Sequence, residues 1–165
     1  MSEGTISMFV GKRFWPAVVL CALMSLPAHA DDWVISQAGG SVIEMPGLFQ
    51  SGATRAVIID GEHAGVAYEP NSTISLRQFR FETASRPYAY LGIKFGLGRI
   101  NYSVDEMSRG VVSGDDRQGS GFYATCRREP GALACIELRY NYDYQSDYAD
   151  MIMRVARSFS KNVRP

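Results

Sequence analysis

Two cysteines, Cys126 and Cys135, lie on either side of Pro130 and Gly131, with apolar residues flanking both. Apolar runs on each side of a Pro-Gly pair describe two strands joined by a tight turn. The thiols then face each other across one hairpin, and in an oxidising compartment that placement gives a structural disulfide. Closing a ring of about ten residues contributes about 2 to 3 kcal/mol on the loop-entropy model. A redox pair or a zinc site is the rival reading. The spacing is not C-x-x-C, however, and no second Cys/His pair completes a metal site, so neither a metal nor a cofactor is expected.

The other end of the chain names the compartment. Lys12 and Arg13 precede an apolar run over residues 14–26, and Ala28 and Ala30 frame an A-x-A cleavage site. Residues 1–30 are expected to be a signal peptide and residues 31–165 a single α+β domain, periplasmic or secreted. The run is too short to span a hydrocarbon core of about 30 Å, and no later stretch reaches the roughly 20 apolar residues of a transmembrane helix. Cys21, the third cysteine, falls inside the signal. Leu20 before it is not the small residue that a lipid attachment site wants.

Seventeen basic residues balance seventeen acidic ones. Losing Lys12, Arg13 and Glu3 with the signal leaves one more acidic than basic side chain, scattered without long single-sign runs. Such a surface carries no electrostatic footprint for nucleic acid or an anionic membrane.

The first half of the mature chain reads as strands broken by glycine. Residues 33–36 and 41–45 alternate around Gly39-Gly40 as a short hairpin, closed by Pro46-Gly47. Residues 55–59, the turn Asp60-Gly61 and residues 64–68 follow, stopped by Pro70-Asn71. Residues 75–81 fit either a helical face through Leu76 and Phe79 or a strand through Phe79 and Phe81, and we read them as a strand. Ser85 then caps a short helix with Pro87 in its first turn, running to residue 95 before Gly96 and Gly98. Residues 99–103 and 109–113 are two more strands. A polar, glycine-rich loop over residues 114–121 leads into the cysteine hairpin.

A helix ends the chain. With Asp147 as its cap, Tyr148, Ile152, Val155, Ala156 and Phe159 fall on one apolar stripe. Asp150 and Arg154 form an i, i+4 pair on another face, and Arg157 and Lys161 suit the negative end of the helix dipole. The succession of a strand-rich first half, a short helix, residues 100–103 through 110–114, then residues 121–126 and a terminal helix ending at residues 157–159 resembles small exported proteins of unknown role in alphaproteobacteria. More loosely, it is similar to the PsbP/Mog1-type α+β domain. The likeness covers residues 98–160 best. It implies an accessory or binding role and assigns no residue.

Candidate chemistry is sparse. His63 is the one histidine of the mature chain, so any Ser-His-Asp or Cys-His mechanism runs through it. Asp115 and Asp116 are adjacent carboxylates in a polar loop, the common composition of a solvated turn, and Asp105-Glu106 is a second such pair. Gly114, Gly119 and Gly121 match neither the P-loop nor the dinucleotide fingerprint. Aromatic residues offer more. Tyr140, Tyr142 and Tyr144 alternate at strand period, which puts them on one face, and Tyr148 arrives one turn later on the helix. Such a row can stack on sugars or clamp a peptide.

These features predict an α+β fold, a mostly antiparallel sheet packed against the C-terminal amphipathic helix and the short middle helix, with one hairpin disulfide. The expected function is a non-enzymatic envelope accessory or binding module, with an envelope protein or a cell-wall glycan as partner. The rivals are a small envelope hydrolase using His63 or the Asp115/Asp116 loop, and a secreted enzyme inhibitor.

Overall fold

A computed structural model describes residues 32–38, 41–59, 63–116 and 118–160. The expected export signal, the turns at Gly39-Gly40 and Asp60-Gly61, and Lys161 lie outside the described residues.

Strands dominate the order of elements: β1 (Trp33–Ala38), β2 (Ser41–Pro46), α1 (Leu48–Ser51), β3 (Ala53–Ile59), β4 (His63–Asn71), β5 (Ile74–Glu82), α2 (Pro87–Phe95), β6 (Arg99–Asp105), β7 (Arg109–Asp115), β8 (Ser120–Glu129), β9 (Ala132–Asn141) and α3 (Gln145–Ser160). β1 and β2 form their own antiparallel pair. The other seven make one antiparallel sheet in the order β3-β4-β5-β9-β8-β7-β6. Two meanders are therefore joined through α2, and the chain returns so that its last strand pairs with β5 in the middle, Ile74 opposite Tyr140 and Phe79 opposite Cys135.

That central position explains why β9 is almost continuously apolar. Alternate side chains of a strand point to opposite faces, and both faces of β9 are covered. Ala134, Ile136, Leu138 and Tyr140 pack with Ile43, Met45, Phe49, Ile152, Val155 and Phe159, the core under the β1–β2 hairpin and α3. Leu133 and Cys135 pack with Leu91, Phe95, Val112 and Phe122, the core under α2. The two helices thus lie on opposite faces of the sheet.

Buried polar groups fasten the hairpin to the sheet. Gln78 is fully buried, and its Nε2 donates to Ser41 O at 2.8 Å and to Ser41 Oγ at 2.9 Å. Ser36 Oγ bonds Tyr68 Oη at 2.6 Å. Glu44 N donates to Ser158 Oγ at 2.9 Å, tying β2 to α3. Such satisfaction is what makes a buried amide tolerable.

Cys126 and Cys135 are register partners and are bridged, with an S–S distance of 2.02 Å and both residues fully buried. Replacing both by alanine is expected to lower stability by about 2 to 3 kcal/mol, the loop-entropy value for so short a ring. Equilibrium unfolding of the double variant against the oxidised protein measures it. No loss would mean that residual structure already restrains this segment in the unfolded chain.

Several local expectations are corrected. Ser85 is not the cap of α2. Arg86 holds that position without a side-chain bond, Pro87 opens the helix, and Ser85 N donates instead to Thr83 Oγ1. α3 begins two residues before Asp147, at Gln145, after a 3-10 turn over Tyr142–Tyr144. Arg154 does not pair with Asp150. Its guanidinium lies 3.8 Å over the Trp33 ring and 3.5 Å from Glu44, because the hairpin offers it an aromatic face as well as a carboxylate. β4 runs through Pro70 to Asn71, and the cost of the missing N–H appears as a register irregularity between Tyr68 and Asn71. α1 has no counterpart in the sequence reading.

Candidate functional site

One end of the large sheet is where the loops converge. The turn after β4, the loop between β7 and β8, the end of β9 and the start of β6 surround a polar cleft of about 840 Å³. Asn71 Oδ1 accepts from Thr73 N at 2.8 Å and Ile74 N at 3.1 Å, an Asx turn that shapes the first wall. Asp116 Oδ1 accepts from Gln118 N and Ser120 N, both at 2.9 Å, and shapes the second. Backbone bonds then join the walls to the floor, Asn141 N to Thr73 O at 2.9 Å and Tyr142 N to Gly119 O at 3.1 Å. The cleft is therefore held by its own backbone before anything enters it.

Most of its charged groups are already matched. Arg99 donates to Asp115 Oδ2 from Nε at 3.0 Å and lies at 2.9 Å through Nη2, while Asn101 Nδ2 donates to the same oxygen at 3.2 Å. The Asp115 hydrogen bond and charge, with a smaller contribution from Tyr142, hold the Arg99 guanidinium above its ordinary pKa. Asp116 faces Arg139 at 3.8 Å. Each carboxylate of the Asp115/Asp116 loop thus has a structural duty.

The four tyrosines do not form one row. Strand geometry ends at Asn141, whose side chain accepts from Asp143 N at 3.1 Å and turns the backbone into the 3-10 segment. Tyr140 stays on the strand as core, its ring lying across Gly121, where any Cβ would collide with it. Burial, more than its neighbours Tyr142 and Asp115, pushes the Tyr140 hydroxyl pKa up. Tyr142, 37% exposed, lines the cleft. Tyr144, 42% exposed, instead leans toward Tyr148, ring centroids 6.4 Å apart. Tyr148 is half-buried against the α3 core, and its hydroxyl lies 2.6 Å from Thr73 Oγ1. Because that threonine donates its own proton to Asn71 Oδ1, Tyr148 is the donor between them.

His63 is placed elsewhere. It starts β4, paired with Ile59, eight residues along the strand from Asn71 at the cleft end. At about 3.3 Å per residue that is roughly 26 Å, so the register separates the imidazole-bearing position from Asp115 and Asp116. Arg99, Arg139, Glu69, Asn71 and Asn141, all in the cleft lining, were not named as candidate binding residues from sequence. Of these only Asn71 and Asn141 had a signal, the turn-forming chemistry of asparagine beside Pro70 and Asp143.

No protein-family model and no curated protein matches the sequence. Among solved structures, the chain is similar to cyanobacterial PsbP (CyanoP) from Synechocystis sp. PCC 6803, determined in solution. The TM-score is 0.51 at 12% identity, covering 77% of this chain and 89% of that one. The likeness shows a PsbP-like α+β fold. Function is not carried by fold at such identity.

Proposed function

We propose that the protein is an exported, non-enzymatic accessory module that binds an envelope glycan in the polar cleft. One observation carries this reading: a preorganised cleft presents the exposed Tyr142 ring beside planar polar side chains, Asn71, Arg99, Asp115, Arg139 and Asn141. A ring that stacks on a sugar face, framed by groups that both donate and accept, fits a ligand rich in hydroxyls. Export is part of the proposal. It rests on the signal-like residues 1–30 and is supported by the buried disulfide, which suits an oxidising compartment. No helix of the described residues is long and apolar enough to cross a membrane.

Against the hydrolase reading stand the distance between His63 and the carboxylate loop and the engagement of Asp115 and Asp116 by arginines and backbone N–H groups. No observation favours the inhibitor.

Affinity capture on solubilised cell-wall glycan fragments tests the proposal. Tyr142→Ala is expected to weaken retention by about tenfold, the scale of a recognition hot spot. Its unfolding midpoint should stay close to that of the parent, since the ring is more than a third exposed. His63→Ala should bind normally. Undiminished retention of Tyr142→Ala overturns the reading, and so does release of shortened fragments that Asp115→Asn abolishes. Capture of a protein and no glycan moves the cleft to a protein partner.

A further inference from the structure

A second concavity, independent of the polar cleft, lies on the α3 face of the sheet. α3 packs on β2, β8 and β9. Beyond it, the faces of β6 and β7 are left as the floor of a groove of about 620 Å³. Register puts Tyr102, Val111, Ser113 and Tyr123 on that face, Ser113 opposite both Tyr102 and Tyr123, and Val111 opposite Thr125. Met153, Ala156 and Arg157 form the helical wall, at the i, i+3, i+4 spacing that shares one side of a helix. Tyr102 and Met153 are both exposed here, large apolar side chains left uncovered.

The charged groups of this groove have one sign. Arg109 and Arg157 line it, and no carboxylate does. Arg109 Nε is buried and makes no hydrogen bond, and among the described residues the other end of its guanidinium pairs only with the exposed Glu106, at 3.5 Å. Such a surface pair contributes little. Arg157 is exposed and has no ion-pair partner among the described residues. Arg127, the cross-strand neighbour of Arg109, is engaged by Glu129 at 3.1 Å and by the Phe159 carbonyl at 3.0 Å and does not line the groove. Burial drives the Tyr123 hydroxyl pKa up to about 12, with Arg109 opposing, and leaves it a proton donor at neutral pH.

We propose that this groove binds a free fatty acid, its chain against Val111, Tyr123, Met153 and Ala156 and its carboxylate between Arg109 and Arg157. The volume falls within the range of about 300 to 1,000 Å³ typical of small-molecule sites. An orphaned guanidinium N–H at the edge of an apolar trough is the group a carboxylate satisfies, since guanidinium and carboxylate pair in matched, charge-assisted geometry. Neither a sugar nor a cationic chain answers those features.

Calorimetric titration of the whole mature protein with dodecanoate, below the concentration at which it aggregates, is the test. One molecule should bind per chain. Dodecanol and dodecyltrimethylammonium should bind at least about tenfold more weakly, the scale of one lost charge-assisted bond. Arg157→Gln, at an exposed position, should lower dodecanoate affinity by a similar factor with an unchanged unfolding midpoint and no effect on dodecanol. Tyr142→Ala should leave dodecanoate binding intact, which separates this site from the glycan cleft. Equal affinity for the three amphiphiles, an Arg157→Gln variant that binds dodecanoate normally, or no binding at all overturns the proposal. So does a doubling of molecular mass in solution that dodecanoate leaves unchanged, because a second copy would then own the groove.

Discussion

Phe159→Ala is expected to destabilise the protein by about 3 to 5 kcal/mol, whereas Arg157→Ala two residues away should stay within about 0.5. The ring is 1% exposed and lies in the core formed by α3, the β1–β2 hairpin and β9. It also forms the floor for Arg127, whose guanidinium carbon sits 4.9 Å above it while Nη1 donates to the Phe159 carbonyl at 3.0 Å. Truncation therefore removes apolar contacts, opens a cavity beside Val155 and Ile136, and takes the aromatic face from a half-buried cation. The surrounding walls are a sheet and a disulfide-stapled hairpin, which collapse poorly into a void. Denaturant unfolding of the two variants measures the difference. Equal, small losses would mean that the last turn of α3 frays without consequence and that its stripe ends at Ala156.

The features legible in the sequence were those written in short stretches of chain. The cysteine hairpin could be seen because its alternation, its turn and its two thiols lie within residues 123–140. The apolar stripe of α3 could be seen because five side chains at helical spacing suffice to define it. What was not legible depends on partners distant in sequence. Nothing near Ile74 or Tyr140 says that β5 and β9 pair, so the opposite faces of α2 and α3 were hidden, and with them the reason that Gln78 is buried. The distance between His63 and Asp115 follows from that same register. The single row of tyrosines is a different kind of miss. The alternation Tyr140, Tyr142, Tyr144 is a correct period-two pattern, but Asn141 and Asp143 supply turn chemistry between those residues, and a local side-chain bond outweighed the strand. Arg109 and Arg157 read as ordinary surface charges until the sheet and α3 brought them to one groove.

Glu137→Leu is the second large effect, again about 3 to 5 kcal/mol, and its cause is charge rather than volume. Glu137 is 1% exposed in the middle of β9, on the face that α2 covers. Lys94, 8% exposed on its side chain, reaches it at 3.2 Å, with Arg77 at 3.7 Å and Arg139 Nε at 2.5 Å. The ammonium also lies 5.1 Å from the centre of the Phe79 ring. Leucine in place of Glu137 fits an apolar face, yet it leaves three cations together, one of them under the last turn of a helix with little water to solvate it. Arg77 and Arg139 are about a third exposed and can turn outward. Lys94, almost fully buried, has the least room to do so. Adding Lys94→Met to Glu137→Leu should therefore restore most of the lost stability, since a well-packed apolar pair replaces a buried ionic one at little cost. Denaturant unfolding of both single variants and the double gives the coupling directly. Additive losses would show that Lys94 reaches solvent along its own stem once the carboxylate is gone, and the apolar contacts of Leu91 and Phe95, with Tyr90 against Phe81, would then hold α2 to the sheet without it.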